Sequence, residues 1–197
     1  MRRIGIFGGT FNPPHIGHIE AAKAFIDKAN LDELIVMPAF IPPHKEYDVT
    51  VTCEDRFEMC KIAFGNISKT VVSDLEISRG GKSYTYLTLQ ELKTSEKELY
   101  FLCGTDMILT MDNWRHPEII FSLANICYIR RENDPEITGL IDEKCREYSI
   151  KYGAKVMPID AEVIEISSSE IRSDIMKISN YLTKEVAEYV NKAGLYK

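Results

Sequence analysis

Apolar residues recur along this chain in two rhythms, short blocks and stretches spaced three and four apart, and the two rhythms alternate nearly from end to end. Ile4, Ile6 and Phe7 form the first block and predict a short buried strand. From Ile16 the spacing changes to Ile19, Ala22, Ile26 and Ala29, with Glu20, Lys23 and Asp27 on the opposite side, which predicts an amphipathic helix. Leu34-Ile35-Val36-Met37 is a second block. Pro38, Pro42 and Pro43 then permit neither helix nor central strand, so 38–45 reads as a stiffened loop leaving a strand end. A helix is predicted over 54–64, with Phe57, Cys60, Ile62 and Phe64 supplying its apolar surface. A strand over 71–77 is broken by Gly80-Gly81, and a helix opens at Thr85 and runs to Leu92. Apolar blocks at 99–103, 126–129 and 156–159 predict three more strands; 135–152 reads as a charged surface helix, and 189–196 as a terminal one. Such alternation predicts an α/β fold: one doubly wound, Rossmann-like domain over residues 1–197 with a mainly parallel sheet. The first strand is expected in the middle, with the site at the carboxyl ends of the strands where their order reverses.

Composition narrows the class. With 45% hydrophobic and 27% charged residues, 197 residues can bury a full core as one domain. A net charge of −6 argues against a nucleic-acid groove, which requires an excess of Lys and Arg. Five cysteines without a Cys-x-x-Cys give neither a disulfide framework nor a zinc knuckle, and fit the reduced cytoplasm. The apolar run after Met1-Arg2-Arg3 ends at Gly8, too short for a signal peptide or a membrane span.

The candidate chemistry lies at the ends of the predicted strands. Gly8-Gly9-Thr10 stands between strand and helix, the arrangement that points free backbone N–H groups at an anion. It lacks both the Gly-Lys-Ser/Thr of a Walker loop and the third glycine of a dinucleotide fingerprint. His15 and His18 follow, on the side of the glycine turn. A pair of this kind commonly caps or packs a first helical turn; beside a phosphate it can donate charge-assisted hydrogen bonds, and no Cys or further His completes a metal set. Gly104-Thr105-Asp106 repeats the opening logic, with Asp106 either a helix cap or an acceptor for ribose hydroxyls. Near the other end, Ser167, Ser168 and Ser169 offer N-cap material, and Arg172 is either a fork for phosphate oxygens or a partner for Asp174.

Two of these stretches carry a resemblance. Gly8-Gly9-Thr10-Phe11-Asn12-Pro13-Pro14-His15-Ile16-Gly17-His18 and Ile166-Ser167-Ser168-Ser169-Glu170-Ile171-Arg172 are similar to the two end motifs of the nucleotidyltransferase superfamily that moves AMP or CMP onto phosphorylated acceptors. Pro42-Pro43-His44-Lys45, Ser83-Tyr84-Thr85, Gly104-Thr105-Asp106 and Trp114 resemble the bacterial nicotinate-nucleotide adenylyltransferase branch, and the likeness covers essentially the whole chain. The resemblance implies AMP transfer from ATP, accompanied by Mg²⁺, to nicotinate mononucleotide. It implies an ATP site of Gly8, Gly9, Thr10, Phe11, His15, His18, Gly104, Asp106, Ser167, Ser168, Ser169 and Arg172. The mononucleotide would meet Thr10, His44, Lys45, Tyr84, Thr85, Asp106 and Trp114, and the catalytic group would be His15, His18, Lys45 and Arg172, with no protein-held metal. Asn12 stands for the family's usual Asp, Leu87 for the Asp of Ser-Tyr-Thr-x-Asp-Thr-Leu, and Thr105 for the Ala of Gly-Ala-Asp; Leu87 is expected nearest the acceptor. Neither nucleic acid nor membrane is implied, and a homo-oligomer stays open. The other readings are a nicotinamide-nucleotide or pantetheine-phosphate adenylyltransferase, an oxidoreductase holding NAD, and a nucleotide sensor without turnover.

Overall fold

The computed structural model describes residues 1–43, 51–130, 135–161, 164, 166–174 and 178–196. Six strands pair in the order β3-β2-β1-β4-β5-β6, every pair parallel: β1 Arg2–Gly9, β2 Glu33–Pro38, β3 Thr70–Val72, β4 Lys97–Gly104, β5 Ala124–Arg130 and β6 Val156–Asp160. β1 is central, as expected. The chain winds outward from β1 in one direction through β3, then returns to β4 on its other side, so the reversal falls between β1 and β4.

Period-two side-chain alternation divides the core between the two faces of the sheet. Phe7, Leu34, Val36, Tyr100 and Leu102 meet the buried faces of α1 (Ile16–Lys28), α2 (Cys53–Phe64) and α10 (Lys184–Ala193). Ile4, Ile6, Ile35, Met37, Leu99 and Phe101 meet α4 (Thr85–Leu92), α6 (Pro117–Leu123) and α7 (Pro135–Tyr152). Gly5 shows how close the first layer lies: a Cβ there would come within 2.3 Å of Leu31 Cδ1.

Several expectations change. The segment read as a strand over 71–77 pairs only through Val72; Leu75–Arg79 is a short helix, α3, following Asp74 and ended by Gly80 at φ 70°. Leu75 and Ile77 alternate as in a strand, but a polar residue before them and glycine after them are also the punctuation of a helix. On α2 the buried side is Cys53, Arg56, Met59, Cys60, Ala63 and Phe64, so Phe57 and Ile62 sit only at its margin. The terminal helix starts earlier than 189 and stops at Ala193, capped by the Thr183 hydroxyl and closed by Gly194 in the left-handed region. A helix absent from the pattern reading, α6, begins with Pro117 at its first turn, where the missing N–H costs nothing. Among the described residues no helix is long and apolar enough to cross a membrane.

Candidate active site

β1 ends in the glycine turn, and the backbone then passes through Phe11 at φ 49°, a region unfavourable for a bulky residue. Packing holds it there. The Phe11 ring is buried, edge-on to Phe7 at 5.3 Å, Phe64 at 5.7 Å and His18 at 5.1 Å. It fills the space beneath Gly9, where a Cβ would meet the ring at 3.0 Å. Gly8 differs: its Cβ would touch Phe101 only at 3.6 Å, so the protein's own packing does not demand glycine there. Gly8 opens instead onto a cleft of about 280 Å³ at the carboxyl ends of β1 and β4.

Elements far apart in sequence line that cleft. Gly8, Gly9, Thr10, Phe11, His15 and His18 come from β1 and the start of α1, Gly104 and Asp106 from the end of β4, and Ser167, Ser168, Ser169 and Arg172 from the start of α8 (Ser168–Ser173). Thr85 and Trp114 close the side next to α4, the Trp114 ring edge-on to Phe101 at 6.2 Å. Tyr84 is not among the lining residues; Arg115 covers its ring at 5.2 Å from the centroid. His44 and Lys45 lie outside the described residues; of the described residues of their loop, Ala39, Pro42 and Pro43 line the cleft.

The capping reading of the histidine pair holds in the structure, and both residues also reach the cleft. His15 is the N-cap of α1, and its backbone N–H donates to His18 Nδ1 at 3.2 Å; the rings lie 3.7 Å apart, and both residues line the cleft. Arg172, which lines the cleft, also holds partners within the protein. Its guanidinium donates to the Asn12 carbonyl at 2.8 Å and to Ser169 Oγ at 3.1 Å, while Ser168 Oγ donates to the Pro13 carbonyl at 2.9 Å, so α8 is tied to the loop after the glycine turn. The Ser167 hydroxyl is engaged in a capping box with Glu170.

The departures from the family motifs find their places. The Thr105 hydroxyl donates to the Ile129 carbonyl at 3.0 Å, joining the ends of β4 and β5; Ile129 lines the cleft and Thr105 does not. Asn12 is buried and accepts from the Tyr196 hydroxyl. Leu87, expected nearest the acceptor, is not a lining residue; α4 presents Thr85, Thr88 and Leu89 instead.

Two charged residues in the cleft escaped the sequence reading. Arg56, 1% exposed, donates to the carbonyls of Thr10 at 2.8 Å and Phe40 at 3.1 Å. The signal was its place on the apolar side of α2, where a charge must find partners. Glu76 was hidden by the strand assignment, which would face it to solvent; on α3 it turns inward beside Thr88. Burial pushes its carboxyl above the ordinary value, against the lowering effect of hydrogen bonds from Thr88 and Ser83 and of the Arg79 charge.

An α/β sheet wound 3-2-1-4-5-6, with a glycine turn and a His pair at its reversal point, defines a nucleotide-handling domain of the nucleotidyltransferase type. Residues 6–174 match the family model described as Cytidylyltransferase-like. At 38% identity the chain is similar to a Clostridium novyi protein named "Probable nicotinate-nucleotide adenylyltransferase", covering 100% of both chains, and at 37% to one of the same name from Caldicellulosiruptor saccharolyticus, covering 99% of each. The chain belongs to this nicotinate-nucleotide adenylyltransferase family. In fold it is similar to a Plasmodium falciparum nicotinic acid mononucleotide adenylyltransferase complexed with NaAD, with TM-score 0.76, 24% identity, and coverage of 100% of this chain and 98% of that one.

Proposed function

We propose that this protein transfers AMP from ATP to nicotinate mononucleotide, giving nicotinate adenine dinucleotide and pyrophosphate. The observation that carries the reading is the meeting, in one cleft, of the glycine turn and His15–His18 pair with Ser168, Ser169 and Arg172 from the far end of the chain. The relatives' name supplies the acceptor.

In this reaction an oxygen of the mononucleotide 5′-phosphate bonds to the α-phosphorus of ATP as the bond from that phosphorus to the β-phosphate oxygen breaks. The nucleophile is ionised near neutrality, since the second pKa of a phosphate ester is about 6, so no general base is needed. Catalysis then rests on holding the two phosphates together and on donors aimed where charge develops. The turn at Gly8 and Gly9 admits the phosphates close to the backbone, and His18 and Arg172 donate to them. Asp106, exposed at the start of α5 (Thr105–Ile108), accepts from ribose; Thr85 and Trp114 bound the pyridine ring, and Lys45 attracts the acceptor phosphate. Mg²⁺ would accompany the ATP phosphates and neutralise part of their charge. The cytoplasm suits five cysteines that are free thiols.

Pyrophosphate release is measured with ATP and Mg²⁺ against nicotinate mononucleotide, nicotinamide mononucleotide and pantetheine phosphate in parallel. Preferred turnover of the first is expected; preferred turnover of either other acceptor overturns the assignment.

A further inference from the structure

The acceptor side of the cleft and the phosphate turn are joined by one line of buried polar groups. The Thr88 hydroxyl donates to Glu76 Oε1 at 2.5 Å, and the Ser83 hydroxyl bonds the same carboxylate. Ser83 Oγ in turn accepts from the Phe40 backbone N–H at 2.9 Å. The Phe40 carbonyl takes Arg56 Nη2, and Arg56 Nη1 takes the Thr10 carbonyl at the glycine turn. Glu76, Ser83, Thr88 and Arg56 are each at least nine-tenths buried, and each also lines the cleft. Arg79 stands behind the line, donating to Thr88 Oγ1 at 3.0 Å and pairing with Glu91 at 3.2 Å.

A hydrogen-bond chain of this kind fixes the direction of each hydroxyl, because the proton goes to the acceptor that is offered. Here the Thr88 proton is committed to Glu76, whose carboxylate the Ser83 hydroxyl also stabilises, and the loop at Phe40 is gripped on its N–H and its C=O at once. We propose that Glu76 is a positioning residue for the acceptor half of the site: it orders Ser83 and Thr88, and through Phe40 and Arg56 it sets where the Thr10 turn meets the acceptor phosphate. The proposal rests on the adenylyltransferase reading for its kinetic consequence and on the described hydrogen bonds for its structural one. A merely structural Glu76 would alter stability alone.

Two arms test it on the full-length protein, with Glu76→Gln and, as a smaller perturbation, Ser83→Ala. Without any substrate, hydrogen exchange at the Phe40 amide should quicken by about tenfold in either variant, because its acceptor is lost or freed to rotate. Unchanged exchange in both overturns the network. In steady-state turnover, Glu76→Gln should raise KM for the mononucleotide by about tenfold while KM for ATP stays within about twofold, and Arg56→Lys should combine with it non-additively. Unchanged KM for the mononucleotide, or equal losses for both substrates, overturns the positioning role. A wild-type protein that forms no dinucleotide from nicotinate mononucleotide refutes the assigned reaction instead, and the exchange arm still judges the network.

Discussion

The backbone N–H of His15 donates to His18 Nδ1 at 3.2 Å, so one contact both caps α1 and fixes the tautomer of His18. With Nδ1 accepting, the neutral ring carries its proton on Nε2, and the imidazole is held as a donor without needing to be charged.

Capping and catalysis can therefore be separated at this residue. His18→Ala should lose about 1 kcal/mol of stability with the cap, and His18→Asn, whose amide oxygen can accept the same N–H, should lose less. Both should lower kcat by about a hundred- to a thousandfold with little change in KM for ATP, since a donor to developing charge acts mainly in the transition state. Steady-state kinetics beside thermal melts make the comparison. Near-normal kcat in His18→Asn would reduce the residue to a cap.

Leu87 replaces a family carboxylate but lies off the cleft lining, whereas Thr85 and Thr88 of the same helix are on it. Leu87→Asp should accordingly leave the ratio of kcat/KM for nicotinate and nicotinamide mononucleotides within about threefold, because discrimination comes from groups that meet the substrate. A larger change would mean that this position acts on the acceptor.

The Tyr196 hydroxyl reaches back to Asn12 Oδ1, and the Asn12 carbonyl receives Arg172 at 2.8 Å. Tyr196→Phe should cost about 1 kcal/mol, the net worth of one such bond, in urea unfolding. It should also raise KM for ATP a few-fold, about 0.5–1 kcal/mol in binding, by loosening the loop after the glycine turn. If stability falls and KM holds, the C-terminal end only braces the fold.

In the turn before Trp114, Asp112 accepts from Tyr148 at 3.1 Å and Lys144 at 3.2 Å, docking α7 on the segment before α6. Burial works to raise its carboxyl, but these two donors prevail and hold it below its ordinary 3.8. A carboxyl depressed in the folded state contributes stability above its unfolded pKa and loses it as pH falls through the folded one. Asp112→Asn should be less stable than wild type by about 0.5–1 kcal/mol at pH 7, with the gap closing as pH drops below 3.8. Urea titrations at pH 7 and in acid read this out; a constant gap would assign the effect to shape alone.

Local pattern sufficed for most of the architecture. Ile4, Ile6 and Phe7, then Ile19, Ala22 and Ile26, announce strand and helix because burial repeats every two residues in one and about every 3.6 in the other. The alternation of such segments restricts the sheet to parallel crossovers, and β1 is central as the sequence predicted. The glycine turn, the His pair and the serine stretch were legible for the same reason: each is a contiguous motif whose chemistry is carried by near neighbours.

The tertiary structure decided what lies across the sheet from what. Five residues, Leu75–Arg79, are too few for either period to outvote the other, and only packing made them a helix and turned Glu76 inward. Nothing near Arg56 in the chain announces the carbonyls of Thr10 and Phe40, and nothing near Arg172 announces Asn12, because these partners meet only after the strands are laid side by side. A buried guanidinium or carboxylate must find its donors and acceptors wherever the fold brings them, so the polar interior of this cleft was settled by topology, while the apolar periodicity that built it was written along the chain.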